Sequence, residues 1–148
     1  MVEATPELLT EILGSVLQDS AFMFVEPTDE PPEWGERVFT ATLAFESVKG
    51  GTLRLTMAWP VGVELAANML GTDVSDPEAE ENGRAAVSEI LNVIGGAWVT
   101  RYFGTKVPSQ LGLPQALLAH QPASGPATCS ALVRSESGDP VLLELDMD

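Results

Sequence analysis

The sequence predicts an α+β fold: an antiparallel-rich β-sheet layered with three helices. Three observations carry that prediction. Apolar residues recur at helical spacing over residues 6–24, 60–70 and 80–103. Apolar and polar residues alternate over 37–45 and 52–59, the period of a strand with one buried face. Two further strand-like runs, 127–134 and 141–146, follow the last helix, so the elements do not alternate as a parallel α/β sheet requires.

The first helix carries Leu8, Leu9, Ile12, Leu13, Val16 and Leu17 at helical spacing, with Thr5 placed to cap it and Pro6 at its first position. Residues 26–36 form an acidic, proline-rich loop. The next two segments place Phe39, Ala41, Leu43 and Phe45 on one face, and Leu53, Leu55, Met57 and Trp59 on another. The Val48-Lys49-Gly50-Gly51 connection tolerates positive φ, so these two segments make a hairpin. Pro60 opens a second helix that stops at Gly71. A second acidic loop, 72–82, feeds the long helix 80–103, where carboxylates suit the helix dipole. A punctuated stretch, 107–114, and a short apolar run, 115–119, lead into the last two strands. The 148 residues are read as a single domain, 1–148.

Composition excludes several classes. The net charge is −15, from 22 acidic and 7 basic residues, which argues against nucleic acid and anionic membrane surfaces as partners. No basic leader precedes an apolar run, and no apolar run reaches the ~20 residues that span a bilayer. One cysteine, Cys129, admits no internal disulfide and fits a reducing cytoplasm, with the thiol read as a small core side chain. The one histidine, His120, has no partners at the spacing of a metal site or a triad. No nucleophile, base or metal constellation for a small-molecule enzyme appears.

The long helix holds the chemistry. On a wheel of about 100° per residue, Val87, Leu91, Ile94, Trp98 and Tyr102 form the core stripe. Glu89 points away from them, with Asn92 about 60° to its side. Around the pair stand Ala85, Gly96 and Thr100, all small, so a partner's backbone can approach closely. A carboxylate that grips a cation and a carboxamide that orients a water fit a reaction run by positioning. Paired carboxylates for glycoside hydrolysis are absent.

Glu89-Ile90-Leu91-Asn92 followed by Gly96 resembles the Glu-x-x-Asn-x-x-x-Gly helix of the CheX/CheC/FliY family of chemotaxis phosphatases, its CheX-like members in particular. The resemblance extends over most of the chain, from the first helix to Leu111-Gly112-Leu113-Pro114 before the last strands. It implies a cytoplasmic bacterial phosphatase that hydrolyses the phospho-aspartate of a CheY-like response regulator in chemotaxis or two-component signalling. Glu89 would pair with the regulator's Lys and Asn92 would hold the attacking water. Ala85, Ser88, Gly96, Thr100 and Pro114 would contact the partner. No cofactor of its own is implied, the Mg²⁺ being supplied by the regulator, and a homodimer is compatible with the family. The chain departs from the family's pattern at Ala85, where Asp or Ser is common, and Pro114 comes one residue early. A faint echo of the motif, Thr10-Glu11-Ile12-Leu13-Gly14, has Gly14 where a second site needs Asn, so one site is expected. The alternative reading is a non-catalytic CheX-like binding or oligomerisation module in a signalling or flagellar assembly.

Overall fold

The computed structural model describes residues 2–148. The chain opens with α1 (Pro6–Ala21), β1 (Val25–Pro27) and a hairpin of β2 (Val38–Glu46) and β3 (Gly50–Ala58). Helices α2 (Trp59–Leu70), α3 (Pro77–Glu81) and α4 (Gly83–Phe103) follow. Then come β4 (Gln110–Leu111), β5 (Gln115–Ala119), β6 (Cys129–Ser135) and β7 (Pro140–Met147). Every strand pairing is antiparallel, in the order β1-β6-β7-β3-β2, and β4 and β5 lie end to end along the remaining edge of β2.

Alternation in the strands selects the core face. Phe39, Leu43, Leu53, Leu55, Met57, Leu143 and Leu145 point to one side and are fully or nearly fully buried. The apolar stripes of α1, α2 and α4 cover that side, with Leu9, Leu13, Leu65, Ile90, Leu91 and Trp98 all at 0% exposure. On the opposite face Arg54 and Glu144 stand at paired positions of β3 and β7. They join in a two-armed ion pair at 2.9 and 2.8 Å.

Helices α2 and α4 meet the sheet through one aromatic ring. A Cβ at Gly62 would lie 2.2 Å from Phe39 Cδ2, and one at Gly83 would lie 2.5 Å from Phe39 Cζ. The ring of Phe39 therefore occupies the space both side chains would need, and only glycine admits it.

Several boundaries differ from the expectation. Helix α1 ends at Ala21 and not near residue 24, because Phe22 turns left-handed (φ 55). The Met23 N–H then reaches back to the Leu17 carbonyl at 3.1 Å, which satisfies the helix end. The first acidic stretch is not all loop: Val25–Pro27 adds to β6, and the Thr28 N–H donates to the Leu132 carbonyl of β6 at 3.1 Å just beyond it. The second is not all loop either, for Asp76 caps Glu78 N–H at 2.9 Å and starts the single turn α3. The long helix 80–103 is accordingly two helices, broken at Asn82 (φ −100, ψ 9), with α4 starting at the Gly83 that Phe39 demands. The layer holds three long helices plus this short turn. Trp59, read as the inward end of a strand, instead opens α2, and the Arg37 guanidinium lies 4.2 Å over its ring. The apolar run 115–119 is strand β5, paired to β2 throughout.

Candidate functional site

The core fixes the rotation of α4. Val87, Ile90, Leu91, Ile94 and Trp98 are at 0% exposure against the sheet and α1. Tyr102 is only half-buried, stacked on Trp98 at 4.7 Å, and Phe103 fills the end of the stripe in its place. With that face inward, Glu89 and Asn92 stand exposed one turn apart on the other. Ala85 and Thr100 are exposed beside them, and Ser88 and Gly96 are half-buried on the same side. Among the described residues neither Glu89 nor Asn92 makes a side-chain hydrogen bond or ion pair within the chain. Val93, 41% exposed and one turn beyond Glu89, also belongs to this face, and its place about 40° from Glu89 on the helical wheel is the signal for it.

The two glycines of α4 have different reasons. A Cβ at Gly95 would lie 2.3 Å from Leu43 and 3.4 Å from Leu111, so Gly95 lets the helix rest on β2. At Gly96 a Cβ would meet nothing within 4 Å. A helix interior loses about 0.5–1 kcal/mol with Gly in place of Ala, and packing does not require that loss here.

Pro114 lies at an interruption of the sheet edge beside α4. Leu111 pairs with Phe45, and Gln115 pairs with Thr42. Three residues, Gly112, Leu113 and Pro114, thus oppose two, Leu43 and Ala44, which is a β-bulge. The Gly112 N–H donates to the Ala44 carbonyl at 2.8 Å and pins its near side. Leu111 touches the Gly95 side of the helix, toward which Asn92 is turned from Glu89, so the bulge flanks Asn92.

Charge around the site is sparse. Arg101 is drawn away to Glu11 on α1, 3.4 Å apart and largely solvated. Arg84 lines a cleft with Arg37, Trp59 and Leu118 at the start of α4, more than one turn before Glu89, where Glu80 and Glu81 offset its charge. His120 is exposed, with Nδ1 at 3.4 Å from the Glu36 carbonyl. Cys129 is half-buried, and burial, then Glu7, pushes its thiol pKa up, away from a nucleophilic thiolate. Among the described residues no group of three or more His, Cys, Asp and Glu could hold a metal ion. No helix is long and apolar enough to cross a membrane. What remains is a free carboxylate and a free carboxamide on a convex helix face. They can accept a cation and orient a water, and a convex face suits a macromolecular partner better than a small substrate.

No protein-family model matches the sequence, and no curated protein is similar to it at a significant level. Solved structures are similar over nearly the whole chain. The chemotaxis protein CheX from Desulfovibrio desulfuricans matches with a TM-score of 0.76 at 15% identity, over 96% of this chain and 97% of that one. CheX from Borrelia burgdorferi, solved in a complex with CheY, BeF3 and Mg²⁺, matches with a TM-score of 0.71 at 15% identity, over 97% of each. A CheC-like protein from Shewanella sp. PV-4 matches with a TM-score of 0.73 at 16% identity, over 99% of each. FliY from Thermotoga maritima also matches, at a TM-score of 0.57. The chain has the CheX-like fold that these CheX, CheC-like and FliY proteins share.

Proposed function

We propose that the chain is a phosphatase acting on the aspartyl-phosphate of a CheY-like response regulator. The observation that carries the reading is the pair Glu89 and Asn92, both exposed and unengaged on α4, one turn apart beside a glycine that packing does not require. The fold supports it, since a CheX protein of the same fold forms a complex with CheY.

The reaction asks for positioning more than for covalent work. The Glu89 carboxylate accepts hydrogen bonds from the regulator's lysine ammonium and docks α4 over the phosphoryl group. The Asn92 amide holds a water in line with the phosphorus. The water oxygen bonds to phosphorus as the bond from phosphorus to the aspartyl oxygen breaks. The carboxylate leaves with the electron pair, and the water's proton passes to solvent or to the departing phosphate. The regulator's own carboxylates would hold the Mg²⁺, whose charge would offset that of the phosphoryl oxygens. Ala85, Ser88, Gly96 and Thr100 keep the surface low enough for this approach, with Pro114 on its flank.

The test is loss of phosphate from the CheY-like regulators of the source organism, each charged with a small phosphodonor in Mg²⁺. The wild-type chain is expected to accelerate the loss for one of them. Asn92→Ala should abolish the acceleration while the protein still binds, and both Glu89→Ala and Asn92→Ala should unfold at the wild-type midpoint. No acceleration with any regulator would overturn the reading and leave a binding or oligomerisation module.

A further inference from the structure

The acids of this chain are unevenly placed. All 22 lie at or before Glu89 or from Glu136 onward; the span from Ile90 to Ser135 has none, while it holds Arg101, Lys106 and Arg134. Beside the site that span supplies the second half of α4, β4 and β5, whereas β6 lies across the sheet beyond β2, β3 and β7. Arg101 and Arg134 are paired with Glu11 and with Glu26 and Glu30, so in a chain of net charge −15 the flank of α4, β4 and β5 is distinguished by adding no acid of its own.

Inside this span, beside the site, stands Leu113. At 86% it is the most exposed large apolar side chain among the described residues. It is exposed without being loose. It is the middle residue of the bulge, between Gly112, bonded to Ala44, and Gln115, paired with Thr42. Pro114 restricts the backbone of Leu113 to extended conformations. Bulges at sheet edges re-aim a side chain, and here the extra residue turns Leu113 outward.

The topology sets its level along α4. Gly83 faces Phe39 and Gly95 faces Leu43, so α4 runs in the direction of β2. The edge strand runs the opposite way, from Leu111 beside Gly95 to Leu118, which shares a cleft with Arg84. Between those ends the bulge passes the turn of α4 that carries Asn92.

We propose that Leu113 is the apolar anchor of the partner interface. It docks on the regulator whose lysine and phosphoryl group meet Glu89 and Asn92, and the acid-free flank is the surface on which that regulator comes to rest. The proposal builds on the phosphatase reading and supplies what that reading lacks. An aspartyl-phosphate among Mg²⁺-binding carboxylates is acidic where it meets α4, and beyond the single contact of Glu89 with the regulator's lysine the encounter gains no favourable charge. An exposed leucine on a backbone held by the Gly112 bond and the Pro114 ring provides contact energy that does not depend on charge.

The experiment titrates CheY-like receiver domains of the source organism, activated with BeF3 and Mg²⁺, against four proteins: wild type, Leu113→Ala, Leu113→Asp and Leu117→Asp. Leu117 is the control, 53% exposed on the opposite face of β5. Steady-state dephosphorylation by the same proteins is measured beside the titration. Leu113→Asp is expected to weaken binding and raise KM by about tenfold or more, with kcat and the unfolding midpoint unchanged. Leu113→Ala should fall between, and Leu117→Asp should match wild type. Equal binding by Leu113→Asp, or equal loss with Leu117→Asp, overturns the anchor while an active wild type keeps the phosphatase reading. Leu113-dependent binding without hydrolysis overturns that reading and keeps the anchor. Absence of receiver binding by wild type overturns both. A change in oligomeric state with Leu113→Asp, and no effect on receivers, would assign the surface to a second copy.

Discussion

Gly96 separates fold from function at the scale of one residue. Its neighbour Gly95 is required by Leu43, but Gly96 faces open space. Gly96→Ala should therefore stabilise the protein by about 0.5–1 kcal/mol in urea denaturation, since Ala is the better helix former. The same methyl would stand on the face that receives the partner, so regulator dephosphorylation should fall. A destabilised variant would mean that the helix is not rotated as described; a stabilised variant with full activity would remove Gly96 from the site. The rotation itself was legible in the sequence, because Trp98, Leu91 and Ile94 fall on one side of any helical wheel. The same wheel puts Val93 about 40° from Glu89 on the outer side, whereas it puts Tyr102 in the core stripe, where the structure leaves it only half-buried.

Elements show where sequence reading loses purchase. The hairpin, α1, α2 and the last two strands follow from period and punctuation. The break at Asn82 does not, and neither does the reason for the glycine that follows it, which makes room for the Phe39 ring from a segment far away in sequence. Strand β5 reads only as a short apolar run, and the bulge at Gly112, Leu113 and Pro114 needs the register of two pairings to be seen at all. Helix α2 carries a further check. Burial, then Glu136 and Asp139 in the turn between β6 and β7, raises the pKa of Glu64. The folded state therefore holds that proton more tightly than the unfolded one. The ionised carboxylate opposes folding at neutral pH, and the opposition fades as pH falls through the raised pKa. Allowing for solvent screening, Glu64→Gln should stabilise by a few tenths of a kcal/mol near neutral pH. That gain should vanish at about pH 3, below the ordinary glutamate pKa of about 4.3. Urea midpoints at the two pH values decide it, and an equal gain at both would assign the effect to something other than titration.

For the whole molecule, charge is the dominant variable. A fold with net charge −15 repels itself, and counter-ions weaken that repulsion. The melting temperature should rise as NaCl goes from about 10 mM, where the Debye length is about 30 Å, to about 0.15 M, where it is about 8 Å. A flat or falling curve would mean that pairs such as Arg54 and Glu144 outweigh the general repulsion. The overall architecture was readable from the pattern of elements, whereas the concentration of acids outside residues 90–135 is plain in the sequence and gains meaning only when that span is seen to border the site.

Phe39 has a consequence for how this chain can vary over generations. One ring fills the room of two missing side chains, at Gly62 and Gly83, on two different helices. None of the three positions can be altered singly without a collision or a void, so each restrains the other two. An inherited change at one glycine becomes tolerable only after the ring has given way to something smaller, and that smaller residue then leaves the remaining glycine with space it cannot fill. The three positions should therefore pass through descent as a unit, while the exposed residues of α4 drift according to the partner they meet.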